Sequence, residues 1–212
     1  MKFFIIIKEN SERIPNKNFI KLGDKPLWRH LIDELEDESV YIDTDSSIIL
    51  NERIKNVTIY ERDIRHVELE NDNEFKVSPV LLMIERFLDT YVTDLDELIV
   101  TPHVTSPFIK KDTIIKASKY IGEYETVQAC TEHKEFGYYK NNPINFDPSS
   151  VSKTQDLDPI IMGNGAFFIF TKRSFMKNKN RSGDNVKFYS LTFKESIEID
   201  YPEDLEIAKK FI

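Results

Sequence analysis

A single cysteine, Cys130, stands among 212 residues, which excludes an intramolecular disulfide framework and any multi-cysteine zinc site. No apolar stretch approaches membrane-spanning length. The apolar run at residues 1–7 is too short for a signal peptide, and Lys8-Glu9-Asn10-Ser11-Glu12 offers no small-residue cleavage site. The cytoplasm is therefore the expected compartment, with no membrane partner. Basic residues fall short of acidic ones, 29 against 37, and the net charge of -8 argues against a nucleic-acid-binding surface. The glycine patterns of P-loop ATPases and of dinucleotide-binding enzymes are both missing. His30, His66 and His133 form no metal-ligand spacing. No repeat, low-complexity tract or linker divides the chain, so residues 1–212 read as one domain.

What is present fits a soluble α/β protein, with 40% hydrophobic and 31% charged residues. Residues 3–7 are continuously apolar, as expected for a strand buried on both faces of a parallel sheet. Asp24-Lys25-Pro26 offers a cap and a first-turn proline for a helix over residues 26–36. Strands are predicted at 40–42, 57–60, 97–101, 126–130 and 166–170. Helices are predicted at 48–54, from Ser78-Pro79 through Tyr91, from Asp112 to Tyr120, and after Asp200 to Phe211. Residues 61–76, dense in charge, read as a surface loop. Cys130, on the strand Val127-Gln128-Ala129-Cys130 with no cation nearby, reads as a buried structural thiol. The alternation over residues 1–130 predicts a Rossmann-like, doubly wound, mostly parallel sheet. Residues 136–162 break that rhythm and read as a small hairpin excursion.

The segment after the first strand carries most of the chemistry. In open α/β sheets, ligands bind beyond the carboxyl ends of strands. This loop holds Lys8, Arg13 and Lys17, with donors at Asn10, Ser11, Asn16 and Asn18. Such cations and donors can hold a triphosphate and stabilise charge while phosphorus is attacked. A solvated loop with routine charges is the alternative.

Arg13-Ile14-Pro15-Asn16-Lys17-Asn18, followed by Leu22-Gly23-Asp24-Lys25-Pro26-Leu27, resembles the opening of acylneuraminate cytidylyltransferases, the family of CMP-sialic acid and CMP-Kdo synthetases. The resemblance implies the nucleotide-diphospho-sugar transferase type of fold and makes Lys17 the family's phosphate-binding lysine, with Asn10 and Ser11 lining the loop. The chain departs from the family at Lys8, where an arginine is usual, and at Glu9 and Glu12, whose carboxylates would repel a triphosphate if turned inward. Arg13 offers a replacement for part of the lost charge.

Further blocks follow in order. Ile42-Asp43-Thr44-Asp45 resembles the family's V-S-T-D, although Thr44 and Asp45 also read as helix caps. Arg62 stands where the family has an arginine near the nucleotide, and reads equally as a surface residue. Thr101-Pro102-His103-Val104-Thr105-Ser106-Pro107 resembles the L-Q-P-T-S-P block beside sugar and nucleotide, which implies substrate contacts from His103, Thr105 and Ser106. Lys153-Thr154-Gln155-Asp156 stands at the family's R-R-Q-D, whose arginine grips the sugar carboxylate, so Lys153 and Gln155 are implied on the acceptor side. Asn164, within Gly163-Asn164-Gly165-Ala166, is implied as a sugar contact.

Glu198 and Asp200 lie two residues apart in a stretch resembling S-I-D-I-D-T-x-x-D-L. Alternation along a strand would place both on one face, where paired hard oxygen ligands suit Mg²⁺ shared with phosphates. Asp200 reads alternatively as the cap of the last helix. The resemblance thus implies CTP and an acidic 2-keto-3-deoxy sugar as substrates, Lys17, Arg13 and Asp200 as catalytic, and Mg²⁺ as cofactor. It further implies a homodimer, with the excursion as the candidate contact. Two rivals remain: a nucleotidyltransferase for another sugar or a sugar phosphate, and a catalytically weakened nucleotide binder.

Overall fold

The apolar run near the amino terminus becomes the middle of a seven-stranded sheet. The computed structural model describes residues 1–71, 79–150 and 152–212. In chain order, β1 (Lys2–Ile7) leads through a loop to the short hairpin β2 (Lys21–Leu22) and β3 (Lys25–Pro26), then α1 (Leu27–Glu34). β4 (Ser39–Thr44), α2 (Ser47–Leu50), β5 (Val57–Glu61), α3 (Ile64–Asn71) and α4 (Pro79–Tyr91) follow. Next come β6 (Leu98–Pro102), α5 (Lys111–Ser118), β7 (Thr126–His133) and a second small hairpin, β8 (Tyr138–Tyr139) with β9 (Asn142–Pro143). β10 (Ile160–Thr171), α6 (Lys172–Asn178), β11 (Val186–Ser190) and α7 (Pro202–Ala208) complete the order.

The main sheet runs β5-β4-β1-β6-β10-β7-β11. β1 pairs in parallel with β4 and β6, β4 with β5, and β7 with β11, whereas β10 runs against β6 and β7. This is the expected doubly wound, mostly parallel α/β architecture. Period-two alternation explains the first strand. Phe3, Ile5 and Ile7 enter a core shared with Trp28, Leu31 and Ile114, while Phe4 enters another with Met83, Phe87 and Phe175. Both faces are covered by helices, so most strand residues facing either layer are apolar, and the buried Asp43 on β4 is paired with a buried arginine.

A third apolar cluster joins distant parts of the sequence. Ile14 of the first loop packs with Leu22, Leu27, Phe108, Ile197, Ile199 and Ala208. Burial of these side chains, about 25 cal/mol per Å² of apolar area removed from water, fastens the loop against the segment before α7.

Several predicted elements differ. Residues 61–76 are not simply a loop, because α3 covers Ile64–Asn71 and supplies partners to buried charges; residues 72–76, and Ser78, lie outside the described residues. Asp24 does not cap α1: Pro26 occupies the N-cap position and Lys25–Pro26 pair with Lys21–Leu22. The helix expected over 48–54 is the single turn α2. β10 begins at Ile160, so the excursion ends earlier than residue 162. α6 and β11 were not foreseen. Glu198 and Asp200 sit in a segment outside the sheet, held through the Ile199 N–H, which donates to the Thr105 carbonyl at 2.8 Å, rather than in a strand. Cys130 is buried, and burial pushes its thiol above the usual range, as a structural role requires. Among the described residues, no helix is long and apolar enough to cross a membrane.

Candidate functional site

A cleft of about 540 Å³ opens beyond the carboxyl ends of β1 and β6, a volume suited to a small organic ligand. Its lining includes Lys8, Asn10, Ser11, Arg13 and Lys17 from the first loop and His103 and Thr105 after β6. Those predicted residues therefore come together. Asn16 turns the loop in the left-handed region at φ 52°, a conformation asparagine tolerates. The following 3₁₀ turn, Lys17–Phe19, aims Lys17 across the cleft floor.

Lys17 meets the distant acidic segment directly. Its Nζ donates to Asp200 Oδ1 and to the Ile199 carbonyl, each at 2.9 Å. Arg13 Nη1 lies 3.3 Å from Asp200 Oδ2, and its guanidinium stacks over Tyr201 at 5.1 Å. Burial alone would raise the Asp200 carboxyl, but the bond and charge of Lys17, joined by Arg13, hold it below the usual range. Asp200 is not the cap of α7. Tyr201 is the N-cap residue, and Asp204 Oδ2 accepts from the backbone N–H of Asp200 and of Tyr201 at 2.9 and 2.8 Å. The side chain of Asp200 is thereby left to the cleft cations.

Glu198 stands beside it. Thr105 Oγ1 donates to Glu198 Oε1 at 3.3 Å, and the Gly165 N–H donates to Oε2 at 3.2 Å. His103 Nδ1 faces Oε1 at 3.6 Å. Burial would raise this carboxyl too, yet His103 and the Gly165 amide outweigh burial and the repulsion of Asp200, and hold it low. Gly165 has a steric reason as well: a Cβ there would fall 2.5 Å from Glu198 Oε1 and 2.9 Å from His103 Nδ1. Two carboxylates near enough to repel each other, both ionised at neutral pH, are a donor set that fits Mg²⁺ completed by substrate oxygens. Among the described residues, no group of three or more His, Cys, Asp or Glu side chains could enclose a metal alone.

Other predicted contacts fall elsewhere. Arg62 is neither in the lining nor at the surface. Its side chain is fully buried, with Nε donating to Asp43 Oδ1 at 2.7 Å and Nη1 to Glu70 Oε2 at 3.0 Å. Glu70 Oε1 in turn holds Lys8 Nζ at 3.0 Å, so Arg62 is linked to the cleft through Glu70 and Lys8. Ser106 is wholly buried and outside the lining. Lys153 and Gln155 are exposed and also outside it. Asn164 spends its amide on backbone, donating to the Ser196 carbonyl at 2.9 Å and accepting from Ala166 N–H at 2.8 Å. It ties β10 to the acidic segment.

Asp45, Glu70 and Arg181 are charged lining residues that the sequence reading did not assign to the cleft. Asp45 is not a helix cap; Ser46 takes that position, and Asp45 Oδ1 accepts from the Glu9 N–H at 2.8 Å, fastening the first loop to the end of β4. Glu70 lay in the supposed surface loop. Arg181, between α6 and β11, lines the cleft beside His103 with no motif to mark it. Glu12 also lines the cleft, whereas Glu9 does not.

Comparison with known proteins follows the same lines. The N-acylneuraminate cytidylyltransferase of Streptococcus agalactiae serotype V is 24% identical over 214 residues, covering 93% of this chain and 49% of that protein. The chain thus spans about half the length of such relatives. The CMP-N,N'-diacetyllegionaminic acid synthase of Legionella pneumophila is 27% identical over 233 residues, covering 97% of this chain and 93% of that protein. Among solved structures, a CMP:2-keto-3-deoxy-manno-octonic acid synthetase complexed with CTP matches at TM-score 0.63 and 11% identity, over 99% of this chain and 96% of its own. The 2-C-methyl-D-erythritol 4-phosphate cytidylyltransferase of Francisella tularensis matches at 0.62 and 12%, over 100% and 99%. These structural likenesses speak to the fold alone. The sequence profile described as "Cytidylyltransferase" matches residues 5–211, and by that match the chain belongs to the cytidylyltransferase family of nucleotidyltransferases.

Proposed function

We propose that the protein transfers CMP from CTP to an acidic 2-keto-3-deoxy sugar and releases pyrophosphate. The observation that carries this reading is the meeting of Lys17 with Asp200 at 2.9 Å, across 183 residues of sequence, at the edge of the cleft. Lys17, Arg13 and Lys8 bind the triphosphate. In the present arrangement each is held by a carboxylate: Lys17 and Arg13 by Asp200, Lys8 by Glu70. Phosphate oxygens compete for those cations, and their transfer to the nucleotide uncovers the Asp200 oxygens. Asp200 and Glu198 would then hold Mg²⁺, which when bound neutralises phosphate charge and polarises phosphorus. The anomeric hydroxyl of the sugar attacks the α-phosphorus in line. A new O–P bond forms, the bond to the pyrophosphate oxygen breaks, and the hydroxyl proton leaves to the site or to water. The residues contribute positioning and charge rather than covalent chemistry.

The same reading places the reaction in the cytoplasm and the working unit in a homodimer. Tyr138 and Tyr139 on the β8–β9 hairpin are each 63% exposed, which supports that hairpin as the partner-facing surface. The test is pyrophosphate release from CTP or UTP with a panel of sugar acids and sugar phosphates, with and without Mg²⁺. Release with CTP and a 2-keto-3-deoxy sugar acid is expected; activity confined to sugar phosphates would overturn the acceptor assignment. A second reading, nucleotide binding without turnover, is favoured by Glu12 in the cleft lining. Mg²⁺-dependent CTP binding with no pyrophosphate from any acceptor would establish it.

A further inference from the structure

Among the described residues, Arg181 is the one cleft cation that sequence motifs left unassigned. Its guanidinium centre lies 3.7 Å over the Phe168 ring, and Nη1 lies 3.3 Å from His103 Nε2. Arginine has only donors, so Nε2 is the acceptor and the imidazole proton sits on Nδ1, the nitrogen facing Glu198. The ring plane of Phe168 and the contact with His103 fix the orientation of the fork.

The electrostatics of this group are unbalanced. Arg181 is half-buried, whereas the fully buried guanidinium of Arg62 is matched by Asp43 and Glu70. Among the described residues, no carboxylate lies within ion-pair distance of Arg181; Glu198 acts on it only as a more distant charge, through the intervening His103. Burial lowers its pKa to about 10, so it remains cationic at neutral pH. A desolvated, oriented cation without a counter-ion is costly unless an anion arrives from outside. Lys8, Arg13 and Lys17 occupy the nucleotide loop, whereas Arg181 touches the residues after β6 and on β10. The anion it awaits is therefore on the acceptor.

We propose that Arg181, oriented by Phe168 and His103, binds the carboxylate of the acceptor sugar and makes this chain selective for sugar acids. The role assigned by motif position to Lys153 thus belongs to a residue from a different loop. This rests on the cytidylyltransferase reading for the identity of the sugar, but its test is a binding measurement that needs no turnover. A 2-keto-3-deoxy sugar acid, its C1 amide and a sugar phosphate are titrated onto CTP-free protein by calorimetry, using the wild type, Arg181→Met, Arg181→Lys and Lys153→Met. The acid should bind wild type about tenfold or more tighter than the amide, a difference that Arg181→Met abolishes. Arg181→Lys, which keeps the charge and loses the planar fork, should retain part of it. Lys153→Met should bind as wild type.

Equal binding of acid and amide by wild type, undiminished acid binding in Arg181→Met, or equal loss in Lys153→Met would each overturn the proposal. So would an Arg181 dependence found only with the sugar phosphate, or no binding of any ligand. Arg181-dependent acid binding without pyrophosphate release would refute the catalytic reading while leaving this one standing. Circular dichroism separates loss of binding from loss of fold.

Discussion

Lys17 satisfies two acceptors at once, the Asp200 carboxylate and the Ile199 carbonyl, and keeps its remaining ammonium proton for the cleft. In the proposed reaction phosphate oxygens replace Asp200 while the Ile199 carbonyl keeps the ammonium oriented toward the phosphoryl group. Lys17→Met should therefore lower kcat/KM for pyrophosphate release on the order of 10²–10³-fold, with an unchanged circular dichroism spectrum. Loss of less than about fivefold would remove Lys17 from the chemistry. Arg62 poses the opposite case, a cation whose work is structural. Burial raises the Asp43 carboxyl while Arg62 and Arg86 oppose that shift. Arg62→Met strands Asp43 in the core and should cost about 3–5 kcal/mol in urea unfolding. Adding Asp43→Asn should recover part of that loss.

Glu198 gives a pH signature. Its folded pKa is depressed, so it contributes stability above the unfolded carboxylate range, and that contribution disappears as pH falls through the folded value. Thermal melts of wild type and Glu198→Gln should therefore differ at pH 7 and converge in acid, as the pH falls from the unfolded carboxylate range through the depressed folded value. A gap that widened in acid would reverse the sign and the assignment.

At the scale of elements, the first loop is held at both ends. Ile14 packs into the third apolar cluster, while Asp45 accepts from the Glu9 amide and Asn18 Nδ2 donates to the Lys8 carbonyl at 2.9 Å. Asp45→Ala leaves Ile14 in place but frees the near end. It should cost about 1 kcal/mol in stability, expose the Glu9 amide to hydrogen exchange, and raise KM for CTP more than it lowers kcat. Unaltered exchange at Glu9 would show that packing alone holds the loop.

The elements also show what the sequence could and could not disclose. The loop was legible because its cations directly follow an apolar strand and Arg13-Ile14-Pro15-Asn16-Lys17-Asn18 resembles a family opening; the cations alone left a solvated loop equally open. α3 was not. Its residues Ile64-Arg65-His66-Val67-Glu68-Leu69-Glu70-Asn71 present no broad apolar stripe, because one task of the helix is to bring Glu70 to Arg62 and Lys8. A helix that serves buried charge looks like surface. Arg181 was hidden for a similar reason, inside the polar run Asn178-Lys179-Asn180-Arg181-Ser182-Gly183, where composition alone signals a loop.

The whole molecule adds constraints that no window of sequence contains. β10 was expected as a strand, but its reversal between β6 and β7 follows from the chain's path. That reversal brings Gly165 and Phe168 beside His103 and so builds that end of the cleft. The β8–β9 hairpin is likewise a product of the path between β7 and β10. Phe146 meets Phe136 at 4.9 Å and Tyr138 at 5.2 Å, both edge-on, which gives the hairpin an aromatic centre of its own. Tyr139, Ile144 and most of Tyr138 nevertheless remain uncovered, a cluster of apolar surface that association with a second copy would bury. Tyr139→Ser combined with Ile144→Ser removes outward groups and leaves the Phe136–Phe146 contact intact. Sedimentation should then show a dimeric wild type and a monomeric variant, with the monomer's unfolding free energy changed by no more than about 0.5 kcal/mol per site. A wild type that sediments as a monomer at all concentrations would end the dimer assignment. A variant that stays dimeric would move the interface to another face.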